Sequence, residues 1–218
     1  MTTQQEQITR IRLTYAKGPS LRFTGHLDMQ RLWERLLRRS GLPIRYSQGY
    51  NPRARLNLAS ALPLGVISEA EMLDFWMNEP IPAETVRQRL AETSPPGLDI
   101  QKVESVSLQE KALQEQMSAS EYRISFYDPQ PEGPLTEKVA ALLAADQLSR
   151  VRRKKSYDLR PLILALIVTC AEDDEIGLWI RLNAEPGATG RPDEVLEELG
   201  FANTDYLACR TGLILKAH

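Results

Sequence analysis

Ile8-Thr9-Arg10-Ile11-Arg12-Leu13-Thr14-Tyr15, followed by Met29-Gln30-Arg31-Leu32-Trp33-Glu34-Arg35-Leu36-Leu37, switches its apolar spacing from two residues to between three and four. In the first stretch Ile11, Leu13 and Tyr15 alternate with Arg10, Arg12 and Thr14, the pattern of a half-buried strand. In the second, Met29, Leu32, Trp33, Leu36 and Leu37 make one helical stripe, with Arg31, Arg35, Arg38 and Arg39 opposite. Thr24 is expected to cap this helix, and Gly41 to end it after about Ser40. Further along, Arg55-Leu56-Asn57-Leu58 reads as a short strand. Glu71 to Met77 reads as another, after the Pro63-Leu64-Gly65 turn. Pro82 suits the first turn of a helix carrying Val86 and Leu90, and Gly97 precedes a strand from Leu98 to about Val106. That order is β-α-β-β-α-β, the ferredoxin-like arrangement.

The same order then restarts. Tyr122, Ile124 and Phe126 alternate, and Leu135, Val139, Leu142 and Leu143 mark a helix. Leu162 to Cys170 reads as a continuous buried strand, and Leu178 to Leu182 follows the acidic turn Glu172-Asp173-Asp174-Glu175. Pro192 opens a helix closed by Gly200, and Tyr206 to Leu215 supplies a last strand. The expected class is α+β, with two tandem ferredoxin-like units built on antiparallel sheets. Residues 1–106 form the first unit, 107–120 a polar helical or extended connector, and 121–218 the second.

The 218 residues suit two small domains or one large one. With 42% hydrophobic and 26% charged residues, disorder, collagen and a disulfide scaffold are excluded. The apolar run Leu162 to Val168 is too short to cross a bilayer, and Met1 to Glu6 lacks the basic start of a signal peptide. A cytoplasmic protein without a membrane partner is expected. Cys170 and Cys209 form no Cys-x-x-Cys pair and are expected as small buried apolar residues. His26 and His218 are the two imidazoles, too few for a His-based metal centre or a Ser-His-Asp triad. No nucleotide-binding fingerprint occurs, so neither a metal nor a cofactor is expected.

The net charge of −2 hides an uneven distribution. Residues 10–55 carry +9, residues 56–149 carry −9, residues 150–160 carry +5 and residues 161–218 carry −6. Two basic segments inside an acidic chain make local fields that attract polyanions, although charge runs are as often only solvated faces. In the first segment Arg31, Arg35, Arg38 and Arg39 share a helix. Arg53 and Arg55 follow a Gly-containing loop with Tyr46 and Tyr50 interleaved. Guanidinium groups suit bidentate phosphate contact, and tyrosine rings suit stacking on bases. The second segment offers Arg152, Arg153, Lys154 and Lys155. These twelve residues are the expected RNA-binding set.

Asp158 follows the second run at the mouth of a strand. Among cations it stays ionised, either as a nucleophile or, the favoured reading, as a salt-bridge partner of Arg160 or a neighbouring Arg. His26 and Asp28 lie at the first helix's start; Asp28 suits the positive helix end, and a catalytic role lacks a third partner.

Phe23-Thr24-Gly25-His26-Leu27-Asp28, Arg38-Arg39-Ser40-Gly41-Leu42-Pro43, Tyr46 to Arg53, and Leu62-Pro63-Leu64-Gly65-Val66 with Ser68-Glu69-Ala70-Glu71 resemble a family of bacterial proteins of unknown function associated with radical-SAM enzymes. Tyr157-Asp158-Leu159-Arg160-Pro161-Leu162 is similar to that family's second motif. The resemblance implies a chain that stands beside, or is fused behind, a radical-SAM protein with a cobalamin-binding-type domain. The three-cysteine cluster motif is absent here, so any radical chemistry belongs to the partner.

The leading expectation is a non-catalytic accessory or substrate-presenting protein for a radical-SAM partner, acting on RNA. The rivals are an RNA-modifying enzyme of pseudouridine-synthase type using Asp158, and a protein–protein interaction module.

Overall fold

A computed structural model describes residues 7–152, 154–170 and 175–216. Arg153, the acidic residues 172–174 and His218 lie outside the described residues. The chain is mixed α/β, its strands pair mostly antiparallel, and it divides into two units, Met1–Gln116 and Met117–His218.

The first unit opens with β1 (Thr9–Lys17) and α1 (His26–Arg39), then β2 (Leu56–Leu58), β3 (Ile67–Met77), α2 (Ala83–Thr93) and β4 (Leu98–Val106). β1 lies between β3 and β4, and β2 pairs with β3, so the sheet order is β2-β3-β1-β4. Alternation sends Ile11, Leu13 and Tyr15 of β1, and Leu73, Phe75 and Met77 of β3, to one face. There they meet Met29, Trp33, Leu36 and Leu37 of α1 and Val86 and Leu90 of α2. Tyr15 and Trp33 meet edge to face, with ring centroids 4.8 Å apart. Gly41 at φ 65° ends α1, a conformation that costs glycine little. At the start of α1 the N-cap is Gly25 and no side chain caps it, so Thr24 is not the cap. β3 begins at Ile67, four residues before the expected strand.

The other sheet face of this unit is charged and yet buried. Arg12 stands opposite Asp74 in register, and both Arg10 and Arg12 donate to the Asp74 carboxylate. Arg10 also donates to the carbonyls of Glu110 and Lys111. Burial opposes the Arg12 charge, but the hydrogen bonds and charge of Asp74 outweigh it and raise its pKa. Leu113–Gln116 forms the short helix α3 within the first unit, where Leu113 and Gln116 are buried and Gln114 donates to the Leu58 carbonyl.

The second unit runs β5 (Met117–Phe126), α4 (Glu132–Ala144), β6 (Ser149–Arg152), β7 (Lys155–Asp158), β8 (Ile163–Cys170), β9 (Ile176–Glu185), β10 (Ala188–Thr189), α5 (Pro192–Glu198) and β11 (Tyr206–Leu215). β9 pairs with β5 on one edge and with β8 and β10 on the other, and β5 also pairs with β11. Its main sheet thus reads β8-β9-β5-β11. β6 and β7 form a separate hairpin, which the sequence reading treated only as a basic run. β8 is not fully buried: Leu164 and Ile167 are about half exposed on this edge strand. Cys170 at its end is exposed while Cys209 is buried, so only one cysteine is a buried apolar residue. No helix among the described residues is long and apolar enough to cross a membrane.

Candidate functional site

The α1 face opposite the core is cationic because its residues fall at helical spacing away from Trp33 and Leu36. Arg31, Arg35, Arg38 and Arg39 are all exposed. Arg31 makes a 3.3 Å contact with Asp28, both side chains about two thirds exposed, a pair worth little in water. Arg39 donates to the Thr93 carbonyl. Arg35 and Arg38 make no ion pair among the described residues. Asp28 is therefore a surface partner of Arg31, and His26 is exposed at the helix's first residue.

Past the other end of α1, Ile44 bridges Met77 and Tyr46 bridges Ala54. The Ser47 and Arg53 backbones close a loop between them, with the Arg53 N–H also reaching Ser47 Oγ at 3.0 Å. Tyr50 sits in that loop fully exposed, and Arg53 beside it is exposed and makes no ion pair among the described residues. Arg55 goes elsewhere. Its guanidinium lies 4.4 Å from the Trp76 ring centroid, on the sheet face that carries Arg10 and Asp74. The sheet therefore separates Arg55 from the α1 arginines, which the sequence reading grouped together.

In the second unit the basic run folds as the β6–β7 hairpin, and Arg150 and Arg152 are engaged. Arg150 pairs with Glu197 and Glu198. Arg152 pairs with Glu194 at 2.6 Å, donates to the Thr189 carbonyl and to Tyr157 Oη, and stacks on the Tyr157 ring. Burial, with the Glu194 hydrogen bond and charge added, pushes the Tyr157 hydroxyl up to about 12. Lys154 and Lys155 are exposed at the turn, Lys154 with φ 66°. Asp158 does not pair with the Arg160 side chain. Its Oδ1 accepts the backbone N–H groups of Leu148 (2.8 Å) and Arg160 (3.0 Å), while the Arg160 guanidinium donates to the Leu143 and Ile163 carbonyls. The carboxylate thus ties the hairpin's foot to the chain on either side.

A small, water-sized cleft opens at the N-terminal end of α1. Lys17 and Glu71, both buried, line it with Thr24, His26 and Ser60, and Met29 and Leu58 are among its apolar residues. Lys17 Nζ donates to the carbonyls of Arg22, Thr24 and Val66. Beside it, Arg22 Nε donates to the Gly65 carbonyl at 2.7 Å and Gly65 N–H returns to the Arg22 carbonyl. These bonds bring the Phe23–Asp28 and Leu62–Val66 stretches together. Sequence reasoning singled out neither Lys17 nor Glu71 as site residues. The available signal was phase: Lys17 continues the inward row of Ile11, Leu13 and Tyr15, and Glu71 precedes that of Leu73, Phe75 and Met77.

A bacterial family described as "Uncharacterized protein conserved in bacteria (DUF2344)" matches residues 10–189, a span that holds the cleft, α1 and the hairpin. The chain belongs to this family. No curated protein matches it. Among solved structures it is similar to one titled as a Cbf5–Nop10–Gar1 complex, with 10% identity, TM-score 0.48, and coverage of 96% of this chain and 50% of that one. It is also similar to one titled as the archaeal box H/ACA sRNP Nop10–Cbf5 complex, with 11% identity, TM-score 0.42, and coverage of 96% and 49%. The chain spans about half the length of these matched chains. Among the described residues no group of three or more His, Cys, Asp or Glu is placed to hold a metal ion.

Proposed function

We propose that this protein is a cytoplasmic, non-catalytic RNA-binding protein that presents RNA to a radical-SAM partner. The observation that carries the RNA part is the α1 face. Arg35 and Arg38, one helical turn apart, are exposed and make no ion pair among the described residues, so their charge is available to phosphate. The partner rests on the resemblance of the Phe23–Asp28, Tyr46–Arg53 and Leu62–Glu71 stretches. The accessory role draws support from Asp158, whose Oδ1 is committed to two backbone N–H groups rather than poised for attack. We read both units as ferredoxin-like, because β2-β3-β1-β4 and β8-β9-β5-β11 place the first, second, third and fourth main strands in the same order.

The test is fluorescence anisotropy with labelled tRNA and rRNA fragments at low salt. Binding that weakens steeply as salt rises, through counterion release, is expected. Undetectable binding at low salt would end the RNA reading. A purified radical-SAM protein from the same genome should co-elute with this chain, and the complex should bind RNA at least as tightly as the chain alone.

A further inference from the structure

We infer that the edge strand β8 is a homodimer interface, on which β8 of a second copy of this chain pairs antiparallel and extends the second unit's sheet; this stands apart from the RNA reading above. The edge is open. β8 pairs with β9, and among the described residues Ala165 to Thr169 makes no backbone hydrogen bond to any other segment. Every second N–H and C=O of that stretch therefore faces away from β9 with no protein partner. Only the start of the strand is protected. The Arg160 guanidinium donates to the Ile163 carbonyl, and the register with β9 shifts between Ile163 and Ala165, which puts a bulge at Leu164. Other edges in the chain are guarded along their length. β4 carries Asp99, Lys102 and Glu104, β2 has three residues and β10 has two. β8 has eight, Ile163 to Cys170, with neither a charge nor a proline among them. A long, neutral, unpaired edge is a template for another strand.

Two observations select a second copy as the occupant. The first is the strand's own symmetry. Its exposed residues are Leu164 (49%), Ile167 (52%) and Cys170, spaced evenly about Ile167. A twofold axis through Ile167 sets the two Ile167 side chains against each other and Leu164 of each copy against Cys170 of the other. Every exposed residue then covers an exposed residue, at the ~4.5–5.5 Å between Cβ atoms of directly opposed positions. The second is charge complementarity at the two ends. Arg160 precedes the strand and Glu175 follows it, and neither makes an ion pair among the described residues. Antiparallel pairing lays the Arg160 end of one copy beside the Glu175 end of the other, twice per dimer, whereas parallel pairing would set like beside like. The contact is isologous and closes on itself, so pairing ends at two copies. A strand without a cation offers nothing to phosphate, so RNA does not compete for this edge.

The experiment is sedimentation velocity on the full, RNA-free chain from low to high micromolar concentration. Wild type should pass reversibly from monomer to dimer. Ile167→Lys, at a half-exposed position, places two like charges at the axis and should sediment as a monomer throughout. If that variant melts well below wild type, Leu164→Lys, also half exposed, takes its place with the same expected result. Glu175→Lys should weaken the dimer several-fold at low salt and less at high salt. Cross-linking locates the axis. On a Cys170→Ser background, Ile167→Cys should join two copies when oxidised with copper phenanthroline. Wild type should not do so through Cys170, whose mate lies six residues along the pair, about 20 Å away at ~3.3 Å per residue. A wild type that stays monomeric overturns the inference. So does a normally melting Ile167→Lys protein that still dimerises, a Glu175→Lys dimer as tight as wild type at low salt, or cross-linking through Cys170 and not through Ile167→Cys.

Discussion

On α1, Arg35 and Arg38 stand in solvent with no ion pair among the described residues, whereas in the β6–β7 hairpin Arg150 and Arg152 are tied to Glu194, Glu197 and Glu198 of α5. The two segments look alike as runs of basic residues, and they differ in where the neutralising acids lie. α5 begins Pro192-Asp193-Glu194 and continues Glu197-Glu198, and the hairpin is folded against it. α1 has Asp28 and Glu34 along its own length, and of these only Asp28 makes an ion pair with one of its arginines. Even the +9 of residues 10–55 overstates what solvent meets, because Arg10 and Arg12 are buried on Asp74. Charge counted along a sequence is therefore not charge available to a ligand. The helix offers cations, and Arg150 and Arg152 of the hairpin use theirs to hold structure.

The largest expected effect lies where the charge is most deeply committed. Asp74→Ala leaves two buried guanidinium groups without their carboxylate, and the loss of a buried partner costs about 3–5 kcal/mol. Thermal melts should show a large drop; a change of only a degree or two would mean that Arg10 and Arg12 reach water and belong with the available charge. Next is Glu194→Ala, which frees the partly exposed Arg152. A loss of about 1–2 kcal/mol in urea titrations is expected, with RNA affinity undiminished. If affinity falls instead, the hairpin is part of the contact and the comparison fails.

Asp158→Ala removes the acceptor of two backbone N–H groups and should cost about 1 kcal/mol, with RNA binding unchanged. Asp158→Asn keeps an acceptor oxygen and should cost less. A tritium-release assay on 5-tritiated tRNA and rRNA sharpens this arm. Release by wild type that Asp158→Asn abolishes, with unaltered melts, would make the chain an RNA-modifying enzyme and end the accessory reading.

Much of the first unit was legible because each element repeats its own period. Ile11-Leu13-Tyr15 and Leu73-Phe75-Met77 alternate, and Met29-Trp33-Leu36-Leu37 forms a stripe, so element type and core membership came together. β4 and β11 fell at their expected bounds because Gly97 and Tyr206 punctuate them; Gly97 sits at φ 86° with Ser20 against it, a place for no side chain. The β6–β7 hairpin was hidden because Ser149 to Asp158 carries no apolar alternation, each strand being exposed or half-buried throughout. β8 misled in the opposite sense. An unbroken apolar run signals burial on both faces, but an edge strand exposes Leu164 and Ile167. Asp158 and Asp74 could not be assigned partners from sequence, because those partners come from strand pairing and chain closure. The register Arg12↔Asp74 joins residues 62 apart.

That α1 rather than the hairpin meets RNA is tested by the salt dependence of binding. Affinity for an unstructured RNA is measured from low to moderate salt for wild type, for Arg35→Glu/Arg38→Glu and for Lys154→Glu/Lys155→Glu. These sites are exposed, so all three proteins should melt within about 0.5 kcal/mol of one another. Losing two phosphate contacts should flatten the plot of log affinity against log salt by about 1.4, at ~0.7 per contact for a single strand, in the helix variant alone. A flattened plot for the hairpin variant, with the helix variant keeping the wild-type slope, would contradict the account.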